Sequence, residues 1–487
     1  MLKATRRSAV LLAVAAIGLL AVSRPSFAEV QNIKVSGDET FRTFFRSHLS
    51  LSDADGGPGN TSGTSAHDYF LMNTLGLNVD ANLTENVSVR GRITNERTLG
   101  TNTTNGVFIS QAYASIKDIF YSPFTLKVGT FPVQWGRGFV LGSNLIPSTV
   151  AAGHAINNQI DAQEFTDYTA FDGAELKGEF GGTAAVGMPL SIDMVYLKTR
   201  EGTIGKGDDT NLMGVNLGTR FENGEAEIYY LNKRDKNIGA WAATFPGAKL
   251  TIPSVSTIGI RGSAKPVEGA NAYAELAYQF GQRDFDGSTV SLVPGRAQQA
   301  WAWDLGTDYT FAGVPTTPKF GGEWVFYSGK DSESCDTLHC GGVPGWDPMA
   351  RGYFSSVLRD FQTSSGTAAF YAPAQNGVTG GNTNQHQFSL YGSMKPLEDL
   401  TIAPRLSWYF LDKGIRPIAA NTATNFSQSK RKNYVGMEFD TQVTYNYTDD
   451  VQFGVIYGLF APGTVFRRAG GFQSDAQELV STVSVKF

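Results

Sequence analysis

The connections in this chain sort by parity, and that constrains its fold more than anything else in the sequence. Stretches of about ten residues with period-2 alternation of apolar and polar side chains recur at 40–51, 69–83, 87–96, 107–117, 124–134, 171–180, 190–198, 211–221, 225–233, 256–265, 271–280, 299–311, 319–328, 386–395, 400–410, 433–446, 451–460 and 477–487. That makes eighteen, an even number, which returns both ends of the run to one side. Connections after even-numbered strands are mostly short, as in "TEN" at 84–86, "ENG" at 222–224 and "TDD" at 448–450. Those after odd-numbered strands include 52–68, 135–170, 234–255, 329–385 and 411–432. Short turns at one end and long loops at the other mark a bacterial outer-membrane barrel. A sandwich or propeller has no reason to sort its loops this way. The sequence therefore predicts an all-β fold, a transmembrane antiparallel β-barrel of 18 strands.

The two faces of the strands differ in chemistry. In "LTIAPRLSWYF", Leu400, Ile402, Pro404, Leu406, Trp408 and Phe410 share one face, and Thr401, Ala403, Arg405, Ser407 and Tyr409 the other. Eighteen strands enclose a lumen too wide for side chains to fill. The apolar face is thus expected to meet outer-membrane lipid and the polar face to meet water. Tyr69, Phe124, Phe221, Phe280, Phe311, Tyr445 and Phe487 are expected in the interfacial aromatic girdles. The final "VSTVSVKF" alternates up to an aromatic residue. A closed barrel has no strand edge, so this segment is expected to pair with the first strand. Phe487 also resembles the C-terminal signal read by the outer-membrane assembly machinery.

Residues 1–28 read as a secretory signal: Lys3, Arg6 and Arg7, then "AVLLAVAAIGLLAV", then "SFA" ending at Ala28. The apolar stretch is shorter than the roughly 20 residues of a spanning helix. The expected barrel domain is 29–487. Removing the four basic residues of the signal from the 40 in the chain leaves 36 against 45 acidic, a net charge of −9. That balance argues against a nucleic-acid partner. The five His residues (His48, His67, His154, His339, His386) are scattered without metal-ligand spacing, and no nucleophile constellation or phosphate loop is present. The expectation is a protein without enzymatic chemistry, cofactor or metal. Cys335 and Cys340 in "CDTLHC" lie in the longest loop, and an oxidising compartment favours a local disulfide between them.

By parity, the lumen-facing basic residues are Arg42, Arg46, Arg90, Arg92, Lys127, Lys177, Arg220, Lys233, Arg261, Lys265 and Arg405. The acidic ones are Glu96, Glu275, Asp304, Asp308, Glu323, Glu438 and Asp440. Arg42, Arg46, Arg90, Arg92 and Lys127 come from strands one, three and five; Asp304, Asp308 and Glu323 come from strands twelve and thirteen, half-way round. This predicts a transverse field, with a basic wall facing an acidic one. The loop 135–170, with its apolar "GFVLGSNLIPSTVAAGHAINN", is a candidate either for a constriction inside the barrel or for contacts in a homo-oligomer.

"LKVGTFPVQWGRGFVLGSN" at 126–144, followed by "FDGAELKGEF" at 171–180, resembles the alginate-export family of outer-membrane porins. The "SQAYASIK" strand at 110–117 fits the strand that precedes this motif in the family. The resemblance is sharp over 110–180 and architectural elsewhere. It implies a porin role and singles out Arg137, Asp172 and Gly173 as pore-proximal or structural positions. Where the family tends to have Arg-Gln after the first glycine, this chain has Thr130 and Phe131. The expected function is passive diffusion of hydrophilic, including anionic, solutes or oligosaccharides. The alternatives are a dedicated polysaccharide export conduit and a barrel that sheaths a periplasmic partner.

Overall fold

The computed structural model describes residues 32–49, 67–100, 106–121, 123–142, 165–181, 188–200, 209–236, 252–283, 296–329, 342–343, 345–350, 356–359, 383–415, 431–465 and 474–487. The first half of the barrel is built by β1 (Asn32–Ser47), β2 (His67–Asn82), β3 (Val87–Thr98), β4 (Phe108–Ile116), β5 (Phe124–Phe131), β6 (Phe171–Phe180), β7 (Leu190–Arg200), β8 (Thr210–Phe221) and β9 (Gly224–Asp235). The second half comprises β10 (Ser254–Ala264), β11 (Ala270–Arg283), β12 (Arg296–Thr310), β13 (Lys319–Tyr327), β15 (Gln385–Leu397), β16 (Leu400–Ile415), β17 (Lys432–Asn446), β18 (Val451–Pro462) and β19 (Ala476–Lys486). Each of these eighteen staves pairs antiparallel with its neighbours. The two-residue β14 (Gly342–Val343) runs parallel to the start of β12 and does not separate β13 from β15.

The ring closes between its first and last staves, in register from Asp38 opposite Lys486 to Ser47 opposite Gln477. Gly37 and Phe487 then exchange both backbone hydrogen bonds, at 2.7 and 2.9 Å. Phe487 lies across Gly37, where a β-carbon would come within 2.5 Å of the ring. The glycine leaves room for the terminal aromatic ring to lie across the seam.

Large apolar side chains face outward, as expected for lipid contact: Leu75, Leu77 and Val79 on β2, Ile258 and Ile260 on β10, and Phe388 and Leu390 on β15 are all exposed. Tyr69, Phe221, Phe280, Phe311, Tyr445 and Phe487 are exposed on this outer face. A further aromatic row runs across neighbouring staves through Trp303, Trp324, Phe388, Phe410 and Tyr434. Among the described residues no helix is long and apolar enough to cross a membrane, so the strands make the crossing.

Three expectations are corrected. β1 begins at Asn32 and ends at Ser47, not at 51, because all sixteen of its residues pair with β2. β5 stops at Phe131, short of 134: the chain leaves the wall there, and Phe131, Val133 and Trp135 are buried inside the barrel. Nor is the inner face polar throughout. Val195, Leu197, Leu212, Tyr229, Leu231 and Val255 point inward from β7 to β10 and pack against Trp135, Phe139, Val140, Leu141, Trp346 and Met349 of two infolded loops. Hydrophobic burial, at roughly 1.5–3 kcal/mol for each large side chain, holds the loops against the wall. The lumen is wide enough that chain rather than side chains fills this part of it.

The expected signal at 1–28 and the cysteines Cys335 and Cys340 lie outside the described residues.

Candidate functional site: a loop across the lumen

After Phe131 the chain turns into the lumen through Trp135-Gly136-Arg137-Gly138. Gly138 N donates to Trp135 O at 2.9 Å, and Trp135 N donates to Leu141 O at 2.9 Å, closing a tight inward loop. Gly136 and Gly138 both have positive φ, +54° and +79°, a conformation that glycine adopts without strain. At Gly136 a β-carbon would also fall 2.2 Å from Arg261 Nε. Trp135 anchors the near side by donating from Nε1 to Asp193 Oδ2 at 3.0 Å.

The tip carries Arg137 across to the opposite wall. Its Nη1 donates to Asp304 Oδ2 on β12 at 3.0 Å and its Nη2 to Glu323 Oε1 on β13 at 3.1 Å. The guanidinium lies 3.7 Å from the ring centroid of Tyr273 on β11, and Tyr273 in turn donates to Glu323 Oε1 at 2.5 Å. Arg405 Nη1 on β16 completes Glu323 at 2.7 Å. Burial pulls the Arg137 guanidinium down, but Asp304, Tyr273 and Glu323 outweigh it and hold its pKa above the ordinary value. Beneath this bridge lies a cavity of about 750 Å³, lined by Arg137, Tyr273, Asp304, Asp308, Tyr391 and Arg405 among others.

A second infolded segment braces the first. Gly142 N donates to Ala350 O at 2.6 Å and Ala350 N to Val140 O at 3.1 Å. The 345–350 stretch is held from the wall by Lys233 Nζ to Asp347 Oδ1 at 2.9 Å, by Gln279 Nε2 to Asp347 O at 2.7 Å and by Gln298 Nε2 to Gly345 O at 2.8 Å. The limb returning to β6 is fixed too. Asp167 meets Arg92 Nη2 at 2.5 Å, Glu96 accepts from Asp167 N and Thr166 Oγ1 at 2.6 Å each, and Phe165 packs edge-on to Phe44.

The residues expected in the lumen fall into three groups. Arg137, Asp304, Glu323 and Arg405 form one network at the bridge, and Asp308 lies beside it, accepting from Tyr391 at 3.3 Å. A second group pairs with neighbouring wall or loop: Arg46 with Glu478 at 2.7 Å, Arg90 with Asp80 at 3.5 Å, and Arg92 with Asp38 at 2.7 Å. Lys127 pairs with Glu175 at 2.7 Å, Lys177 with Glu175 at 3.2 Å, and Arg261 with Glu225. Arg42 donates to Thr74 Oγ1 at 3.4 Å and sits over Phe165. Glu438 accepts from Val357, Leu358 and Arg359 backbone N–H groups at 2.8–2.9 Å and so holds the 356–359 segment. In the third group, Arg220 and Lys265 sit exposed at the short-turn end. Glu275 accepts from Tyr229 at 2.7 Å, and Asp440 lines the cavity.

Two walls of opposite sign are not what these pairings produce. The basic residues of β1, β3 and β5 are largely neutralised locally by Asp38, Asp80, Glu175 and Glu478, carboxylates that the two-wall reading left out. Asp172 faces outward, not into the pore, and accepts from Thr130 Oγ1 at 2.6 Å. Gly173 is structural: a β-carbon there would lie 2.1 Å from Tyr196 O on the next stave. Strand parity carried a signal for Tyr273, Tyr391, Glu175 and Asp193. No local pattern pointed to the partners of Arg137.

Comparison with known proteins agrees with this architecture. A sequence model described as Alginate export matches residues 58–479. A search of curated proteins finds no match. Among solved structures, the barrel is similar to OccAB2 of Acinetobacter baumannii, with 10% identity, 94% of this chain and 99% of that one covered, and a TM-score of 0.52. It is likewise similar to OccK8 (OprE) of Pseudomonas aeruginosa, with 11% identity, 94% and 98% coverage, and a TM-score of 0.51. At such identities the likeness is one of fold, and it is the family match over most of the chain that identifies it: the protein belongs to the Alginate export family and is an eighteen-stave barrel of the bacterial outer membrane.

Proposed function

We propose that the barrel is a passive outer-membrane channel for small hydrophilic solutes, constricted by the Trp135–Gly138 turn that follows the fifth stave. One observation carries the reading: Arg137, on the loop leaving the fifth stave, is tied to the twelfth and thirteenth staves beside a cavity of about 750 Å³ that charged and hydroxyl groups line. A space of this size accommodates one small solute. The wall residues around it offer hydrogen-bonding and charged groups to a hydrated solute, which supports passage by diffusion. Secretion by a signal at 1–28, and recognition of Phe487 by the assembly machinery, complete the reading. The purified protein in a planar bilayer is expected to give steady single-channel steps that grow when Arg137 is replaced by Ala. A barrel that never conducts, in either form, would sink it.

Export of an anionic polysaccharide is the second reading, favoured by the description of the matched family. It calls for a continuous track of unpaired cations, and the arginines at the bridge are already held by carboxylates. A sheath for a periplasmic partner would need lumen space that this chain's own loops occupy.

A further inference from the structure

We infer that the narrow part of the lumen selects for cationic and neutral solutes over anions, an inference that rests on the channel reading above. The cavity under the loop is lined by five carboxylates and four cations. Pairing sharpens this imbalance. Arg137 is held by Asp304 and Glu323, Arg405 by Glu323, and Arg261 by Glu225. Of the four cations only Lys319 is left without a carboxylate among the described residues, and it rests 5.8 Å from the ring centroid of Tyr391.

Three carboxylates remain opposite it. Among the described residues Asp308 accepts from neutral groups, Tyr391 at 3.3 Å and Asn271 at 3.4 Å. Glu275 accepts from the Tyr229 hydroxyl. Asp440 is 6% exposed, lines the same cavity, and is in no ion pair among the described residues. Buried carboxylates are normally paired, so one that faces a solute path without an ion pair is a place for water or a passing cation to bind.

The consequence for solutes is direct. A potassium ion, or a small solute carrying an ammonium group, meets carboxylates that are in no direct ion pair among the described residues. A uronate chain meets those same carboxylates, and guanidinium groups already committed elsewhere. Carboxylate-lined constrictions favour cations for this reason, and low-dielectric walls strengthen the field.

The test is the reversal potential of the full chain in a neutral-lipid planar bilayer under a tenfold KCl gradient at low salt. The expected result is a potential of cation sign, with a K⁺/Cl⁻ permeability ratio of roughly 2 or more. Asp308→Asn should lower the ratio and Lys319→Gln should raise it. A potential of anion sign, or a ratio moved by neither variant, overturns the inference while leaving an open channel in place. Absence of any conductance overturns the channel reading itself, and this inference with it.

Discussion

Arg46 and Arg137 are both inward-facing arginines held by carboxylates, yet they hold together different things. Arg46 lies in the wall at the closing seam, its side chain 4% exposed, paired at 2.7 Å with Glu478 on the adjacent stave. Arg137 rides on a loop, its side chain 42% exposed, and reaches staves on the far side of the barrel. The wall pair joins two adjacent staves, whereas the bridging pairs tie a loop to the opposite side of the lumen. The same residue type in the same fold thus joins neighbours in one place and spans the lumen in the other.

Removing each partner in turn should separate the two roles. The largest effect is expected from Glu478→Ala, which removes the carboxylate paired with the buried Arg46 charge and should cost about 3 kcal/mol. Denaturant unfolding in detergent would report this, while the single-channel conductance of the folded protein stays unchanged. Arg137→Ala reverses the pattern. Its half-exposed pairs should contribute less than about 1 kcal/mol to stability, but conductance should rise by roughly half or more as the loop loses its far anchor. A loss of stability without a change in conductance would make Arg137 another wall arginine.

Gly136→Ala tests the same bridge from the backbone. A left-handed residue with a β-carbon costs about 1–2 kcal/mol, and here the added atom also meets Arg261. The tip should shift and conductance should rise, by less than in Arg137→Ala. Because the carboxylates around Arg137 hold its pKa up, its charge persists below that raised value, and conductance should stay flat between pH 7 and pH 10 if this guanidinium sets the width. The smallest effect belongs to Arg220→Ala. With an 84% exposed side chain 3.8 Å from Glu225, it should leave unfolding within about 0.5 kcal/mol of the parent.

Strand number, outward apolar faces and loop parity were legible because a period of two residues is a local property, repeated eighteen times. Boundaries failed where a strand's polar residues hid the alternation, as in Asn32–Glu39, or where alternation continued after the chain had left the wall, as at Val133 and Trp135. Leu197, Leu212 and Leu231 lie on the inward parity, which a water-filled lumen would fill with polar residues. Their meaning depends on loops that arrive from elsewhere in the chain. Arg137 stood out only through its glycine-flanked motif. Asp304 and Glu323 lie 167 and 186 residues away, and no sequence window connects them.

The seam also says something about time. Thr40 and Ser484, hydrogen-bonded across it, are 444 residues apart, so every other stave must be made before the cylinder can be sealed. Contacts between such distant segments form late, because a long loop has to close before they return any energy. The apolar plug against β5 to β13, by contrast, draws on segments that are all present well before β19. Its loops can settle on a sheet that is still an open trough, with no lumen yet to thread. A cylinder sealed afterwards would enclose loops that are already in place.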